Sequence, residues 1–125
     1  MKNLVRKAQH AGSWYTNNPI TLKQEVESYL AKADQTLPQG AKLKALIGPH
    51  AGFAYSGPNA AWAYRNVDPS LYDRVVLMGP SHKVYLDFVA QTACNEWETP
   101  LGNIRVDQST VERLANLKET QFSPI

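Results

Sequence analysis

Two short apolar runs, each followed by a proline and a histidine, constrain the fold of this chain more than any other feature. The first run covers residues 44–48 and leads into Pro-His, and the second covers residues 74–78 and leads into Gly-Pro-Ser-His. Short apolar runs bounded by turn residues are typical of strands buried in a parallel sheet. Between them, Gly-Pro at 57–58 and the alanines that follow predict one helix to about residue 66. A strand, a helix and a strand in this order indicate a βαβ unit with a right-handed crossover.

Further elements are predicted on both sides of this unit. Thr21 can cap a helix whose apolar stripe fades near Asp34. A third strand is predicted within 88–96 and a short one within 103–106, and the capping-box spacing that begins at Ser109 predicts a last helix. This alternation predicts an α/β fold with a largely parallel central sheet. The length of 125 residues predicts a single domain over 1–125.

Composition and charge exclude several classes of protein. Thirteen basic and eleven acidic side chains give a net charge of +2, and the basic ones are scattered, so we expect no nucleic-acid partner. The single cysteine, Cys94, allows no intrachain disulfide and fits a reducing compartment. No apolar stretch approaches the roughly 20 residues that span a bilayer, and residues 1–10 lack the apolar core of a signal peptide. We therefore expect a soluble, cytoplasmic protein that has no membrane partner.

The two histidines that follow the apolar runs are the candidate chemical groups. In open α/β sheets, ligands bind outside the carboxyl ends of the strands. Neighbouring strands lie ~4.8 Å apart, so His50 and His82 would converge on one point if their strands are neighbours. Two imidazoles there would make half of a metal site. The alternative stays open: a histidine near a strand end is more often a hydrogen-bonded boundary residue than a ligand, and the residues alone favour that interpretation.

The other polar candidates have ordinary structural interpretations. His10 opens an aromatic turn at 10–15, which can lie on the same rim or can be an N-terminal plug whose Trp14 and Tyr15 pack on the core; the residues alone favour the plug. Ser81 beside His82 suggests a nucleophile and a base. Adjacent side chains rarely face each other, and the chain has no Gly-x-Ser-x-Gly turn, which argues against a serine hydrolase.

Several motifs, taken together in their order and spacing, resemble the Memo family. They are His-Ala-Gly-Ser-Trp-Tyr at 10–15, Pro-His-Ala-Gly-Phe-Ala-Tyr-Ser-Gly at 49–57, Gly-Pro-Ser-His at 79–82, the turn at 67–70 and Glu-Thr-Pro-Leu-Gly at 98–102. The resemblance extends from about His10 to Asp107, which is nearly the whole chain.

The resemblance implies a fold and a metal. The family's fold is a three-layer α/β sandwich similar to that of class III extradiol dioxygenases, which are non-haem iron enzymes. By resemblance, His50 and His82 match the two family histidines that help to bind iron or copper. The same comparison gives a set of pocket residues: His10, Trp14, Tyr15, Gly52, Tyr55 and Ser81.

The resemblance also implies biological roles and a partner. Eukaryotic family members are linked to cell motility and microtubule organisation, and both copper-dependent redox activity and phosphotyrosine-peptide binding have been proposed for them. A cytoplasmic and also nuclear location follows by the same resemblance. Family members are more than twice as long, so we interpret this chain as the N-terminal part of a Memo-like domain, apparently truncated. The family's cysteine ligand lies in the C-terminal part, and Cys94 does not match it.

Three hypotheses about function follow. The first is a metal-binding protein with redox activity, and the second is a non-catalytic adaptor that binds a peptide or phosphopeptide in the same pocket. The third is a structural fragment without activity. A site with two histidines and no third protein ligand would bind metal weakly. We therefore expect a partner, which is either the C-terminal part of the domain or another chain.

Overall fold

A computed structural model of the chain describes residues 3–117 and 122–124. The chain forms two compact units. Gln9–Val75 makes one, which we call the helical unit, and Met1–Ala8 with Val76–Ile125 makes the other, which we call the sheet unit. Helices and short strands of mixed direction confirm the α/β class.

The first helix, α1, spans Pro19–Ala31 in the helical unit. Its N-terminal cap is Asn18, whose side-chain oxygen accepts a hydrogen bond from the Thr21 amide at 3.0 Å. Proline suits the first helical position because that position needs no amide donor. The prediction of Thr21 as the cap was therefore wrong by three residues, because the asparagine before the proline takes that role.

The second helix, α2, spans Phe53–Tyr64 and contains Pro58. The sequence predicted a start at 57–58, but the helix begins earlier. The residue before a proline normally avoids helical dihedrals because its Cβ meets the proline ring. Gly57 has no Cβ, so the helix continues through the Gly-Pro pair. The motif residues around 53–57 therefore lie on a helix rather than in a loop.

The two helices pack against each other in the helical unit. The buried apolar residues of the described chain are few and small: Leu22, Ala33 and Ala61. Asn66 is also buried, and its side-chain oxygen accepts hydrogen bonds from the amides of Thr36 and Leu37 at 2.8 and 2.9 Å. This one side chain therefore satisfies the backbone where the chain leaves α1.

The sheet unit contains a three-stranded sheet in the order β1-β3-β4. Strand β1 is Val5–Arg6, β3 is Glu96–Trp97 and β4 is Ile104–Arg105. The β1–β3 pair is parallel and the β3–β4 pair is antiparallel. A salt bridge of 3.1 Å between Lys7 and Glu98 extends the β1–β3 pairing. The short strand predicted within 103–106 is confirmed by β4.

A second sheet and a helix complete this unit. Strand β2, Val89–Gln91, pairs in parallel with β5, Phe122–Pro124. Helix α3, Gln108–Ala115, is capped by Asp107, whose side chain accepts from the Thr110 amide at 3.1 Å. The cap predicted at Ser109 was therefore two residues late. No helix in the described part of the chain combines the length and apolar character needed to cross a membrane.

The two apolar runs that dominated the sequence form no strands. Residues 44–48 and 74–78 lack regular structure, and in the described ranges neither run pairs with another strand. Their side chains are exposed: Ile47 by 95%, Val75 by 86% and Met78 by 83%. A strand exists only where its backbone has a ladder partner. The predicted βαβ unit and the largely parallel central sheet are therefore not formed by the described residues.

Candidate functional site

Three predicted site residues meet in the helical unit. The ring centroids of His10 and Trp14 are 4.5 Å apart, with an angle of 33° between the ring planes. The rings of Trp14 and His50 meet edge to face, with centroids 5.1 Å apart and planes at 61°. We call this arrangement the His-Trp-His cluster. It joins the N-terminal aromatic motif to the first of the two predicted metal ligands.

The turn that carries His10 and Trp14 is stabilised by its own backbone. The Trp14 amide donates to the His10 carbonyl at 2.9 Å, and the Gly12 amide donates to the Tyr15 carbonyl at 2.7 Å. The Ser13 hydroxyl also donates to the His10 carbonyl. Gly12 has a φ of +85°, a backbone conformation that side chains with a Cβ rarely adopt. The motif therefore needs a glycine at this position to fold back on itself.

The turn is attached to the start of α2. The Phe53 amide donates to the Trp14 carbonyl at 2.8 Å, which satisfies a helix-terminal amide that would otherwise lack a partner. The rings of Tyr15 and Phe53 pack with centroids 5.1 Å apart. Within the turn, Tyr15 packs on Phe53, Trp14 contacts His50, and His10 contacts Trp14. Phe53 was not singled out, although it lies inside that motif.

Gly52 lies where two backbones approach closely. A Cβ at this position would be 3.2 Å from the Trp14 carbonyl oxygen and 3.5 Å from its Cα. The first distance is tighter than most real Cβ contacts, so a larger residue would push the turn away. Gly52 therefore belongs with the cluster because it sets the spacing between its two segments.

A cavity of about 390 Å³ lies beside the turn in the helical unit. Its lining includes Trp14, Tyr15 and Glu25. The Tyr29 hydroxyl donates to the Glu25 carboxylate at 3.0 Å, and burial together with this carboxylate raises the pKa of Tyr29. The sequence analysis did not single out Glu25. The spacing of Glu25 and Tyr29, one helical turn apart, was the signal that could have found it.

Tyr55 stands on α2 next to Ala54, which lines the same cavity. Its side chain is 83% exposed. Trp14, by comparison, is 37% exposed. The helical unit thus presents two accessible aromatic side chains on the motif segments.

The remaining predicted residues, Ser81 and His82, lie in the sheet unit. Both are exposed and occupy an irregular segment of bends. The Ser81 hydroxyl donates to the Val84 carbonyl at 2.5 Å, so it closes a local turn. This use of its proton agrees with the argument against a serine nucleophile. Cys94 is a free, half-buried thiol in the same unit.

The donors for a metal can be compared with what iron or copper requires. Imidazole suits both metals, so the chemistry of His50 and His82 fits. Among residues 3–117 and 122–124, no three His, Cys, Asp or Glu side chains are grouped so that they could hold an ion. The donor type therefore fits, while the described residues alone do not complete a three-ligand set.

A larger cavity, of about 630 Å³, lies in the sheet unit. It is lined by polar residues around the start of α3, including Glu96 and Arg105. Hydrogen bonds from Asn103 and then Asn3 lower the pKa of Glu96. The predicted site residues are not among those that line it. The cavity beside the turn is therefore the one connected with the motifs.

Comparison with known proteins agrees with these motifs. The sequence profile of the family described as Memo-like protein matches residues 6–124. "Protein memo-1 homolog" of Caenorhabditis elegans is 42% identical over 110 residues, which cover 88% of this chain and 31% of the relative. "Protein MEMO1" of Danio rerio is 43% identical over 105 residues, covering 84% of this chain and 34% of the relative.

The human relative gives the same result. "Protein MEMO1" of Homo sapiens is 42% identical over 110 residues, which cover 86% of this chain and 36% of the relative. The chain thus spans about a third of the length of the curated relatives that it matches. The resemblance found in the motifs is confirmed over most of the sequence, and the chain belongs to the Memo-like protein family.

Proposed function

We propose that this chain supplies the histidine-bearing part of a Memo-type pocket that binds an iron or copper ion. His50 and His82 are the proposed ligands, and His10, which contacts Trp14, does not ligate. The observation that supports this proposal most directly is the His-Trp-His cluster. It brings His10 to the same tryptophan as His50, although the two histidines are far apart in sequence.

The support for His82 comes from the sequence. It follows an apolar run and a Gly-Pro pair, as His50 follows an apolar run and a proline. A third protein ligand is needed for tight binding, and it would come from outside the described residues. When bound, such an ion supplies redox chemistry. The chain's own contribution is to present the imidazoles and to border the pocket with Trp14 and Tyr15.

A further polypeptide is part of the proposal. Apolar side chains at 44–48 and 74–78 are exposed, and a soluble protein rarely leaves such runs uncovered. We propose that both runs become strands of a three-layer sandwich when the C-terminal part of a Memo-like domain, or another chain, packs against them. The location of the assembly in the cytoplasm and also the nucleus, and a role in cell motility, are proposed on the family resemblance alone.

Peptide binding is the second candidate function. Trp14 and Tyr55 are accessible aromatic residues on the motif segments, and the cavity lies beside the first of them. Aromatic side chains of this kind are common in protein interfaces. In this alternative the protein is a non-catalytic adaptor for a peptide or phosphopeptide, and its affinity does not depend on a metal.

Metal content distinguishes the two functions. Protein purified without a histidine tag is analysed by elemental mass spectrometry, as wild type and as His50→Ala/His82→Ala. Iron or copper near one ion per chain, lost in the double variant, supports the metal site. His10→Ala is expected to retain the metal, because His10 is not a ligand. Metal-free wild type, together with phosphopeptide binding that survives a chelator, would favour the adaptor instead.

A further inference from the structure

We propose that Trp14 is a positioning residue of His50: its indole restricts the orientation of the imidazole before any ligand arrives. The metal-affinity consequence of this idea rests on the proposed function. The positioning itself does not, because it concerns contacts within the helical unit.

The backbone around His50 does not by itself orient the imidazole. His50 lies two residues before Gly52, the cap of α2, in a segment without helix or strand, and its side chain is exposed. The second side-chain torsion of histidine has a broad, shallow energy profile, so backbone geometry alone does not select a ring orientation. The edge-to-face contact with Trp14, at 5.1 Å and 61°, is of the kind that aromatic rings prefer. It restricts rotation of the imidazole about its last torsion.

Trp14 can restrict another ring because it is itself held in place. Its carbonyl accepts a hydrogen bond from the Phe53 amide at 2.8 Å, and its amide donates to the His10 carbonyl at 2.9 Å. The His10 ring also packs on the indole, with centroids 4.5 Å apart. The tryptophan is therefore connected by backbone to the same helix start that carries His50. Movement of the turn relative to that helix would break the Phe53 hydrogen bond.

The spacing between the two segments is set by Gly52. Because a Cβ there would come within 3.2 Å of the Trp14 carbonyl, the absence of a side chain allows the turn to approach. The indole then lies close enough to reach the imidazole. Removing an outer partner that hydrogen-bonds a ligand histidine typically costs about 10–100-fold in metal affinity. Because Trp14 contacts His50 through ring packing only, we expect its effect to lie at the lower end of that range.

The experiment compares Trp14→Leu and Trp14→Phe with the control Trp62→Phe, which changes a half-exposed tryptophan of α2 outside the cluster. The first readout is NMR relaxation of the His50 ring C–H groups in metal-free protein, assigned with His50→Gln, because loss of the indole ring current alone would change their chemical shifts. We expect Trp14→Leu to lower the order parameter of these groups, Trp14→Phe to have a smaller effect, and Trp62→Phe to leave it unchanged. Circular dichroism verifies that each variant keeps its helices.

The second readout is copper affinity, measured by titration. We expect about a 10-fold loss in Trp14→Leu, at the lower end of the range for outer partners of a ligand. A His50 ring order parameter that is unchanged in a folded Trp14→Leu variant would overturn the positioning role. If the order parameter falls while wild type binds no copper, the positioning role stands and the metal proposal fails. The two proposals are thus tested separately.

Discussion

Replacing Gly57 by alanine should destabilise the helical unit through one neighbour, Tyr29. A Cβ built on Gly57 would lie 2.7 Å from Tyr29 Cδ2 and 2.9 Å from its Cζ, with Cε2 nearer still. Ordinary van der Waals contact begins at 3.4 Å. The ring cannot move away freely, because its hydroxyl donates to Glu25 at 3.0 Å. A methyl group forced into a packed site typically lowers the free energy of unfolding by about 1–3 kcal/mol. We expect the clash at Gly57 to lower it by a similar amount.

Two other contributions to the free energy of unfolding accompany the substitution and must be separated from the clash. Alanine favours a helix by about 1 kcal/mol over glycine. A Cβ immediately before Pro58 opposes the helical conformation. Neither term depends on Tyr29, so both cancel in a double-mutant cycle. The coupling between Gly57→Ala and Tyr29→Ala therefore isolates the clash, at about 1–3 kcal/mol.

Urea unfolding followed by circular dichroism measures the cycle. Tyr29→Phe is the matched control, because phenylalanine keeps the ring atoms and loses only the hydroxyl. Gly57→Ala should therefore remain costly in the Tyr29→Phe background, but less so than in wild type, because the ring has lost its hydrogen bond to Glu25. A coupling with Tyr29→Ala below about 0.5 kcal/mol, the usual error of additivity, would refute the packing argument.

Three further predictions follow from single contacts. Gly52→Ala should move the Trp14 turn by a few tenths of an ångström, since the 3.2 Å contact is the one affected. We expect this shift to weaken copper binding in a titration and to leave the midpoint of urea unfolding nearly unchanged. Asn66→Ala should lower the free energy of unfolding by about 1–3 kcal/mol, because two part-buried hydrogen bonds to its side-chain oxygen are lost; a loss under about 0.5 kcal/mol in urea unfolding would contradict this. The Lys7 ammonium, and then the Ala8 amide, lower the pKa of Glu98 below its ordinary 4.5 in the folded state. Its contribution to stability is therefore present above pH 4.5 and is lost as the pH falls through the lower folded pKa, so Glu98→Gln should flatten the acid side of a stability-against-pH curve.

The sequence predicted the helices and turns better than the sheet. The stripe that begins at Leu22 marked α1 correctly, since helical periodicity depends only on local spacing. The cap was misplaced because Asn18 and Thr21 are both good capping residues, and only the fixed dihedral of Pro19 decides between them. The runs at 44–48 and 74–78 were predicted as strands from composition. Composition shows that a segment suits burial, but the strand forms only with a partner.

The contacts among the candidate residues could not be predicted from the sequence. The resemblance named His10, Trp14 and His50 together, and the structure brings these three rings into contact. The sequence alone favoured a packing role for the aromatic turn, because nothing in residue spacing shows that Trp14 reaches His50. Long-range contacts of this kind depend on the whole path of the chain between the two segments.

The hydrogen bond from Phe53 to Trp14 closes a long loop, and α1 lies within it. Closing a loop costs entropy that contacts across the closure must repay. The His-Trp-His cluster therefore forms only when the helical unit has folded, and it is absent from the unfolded chain. A ligand that recognises the cluster binds the folded state alone and stabilises it by about 2.7 kcal/mol at a concentration 100 times its dissociation constant. The melting temperature of the helical unit is thus a general sensor for ligands of this site, whatever their chemistry.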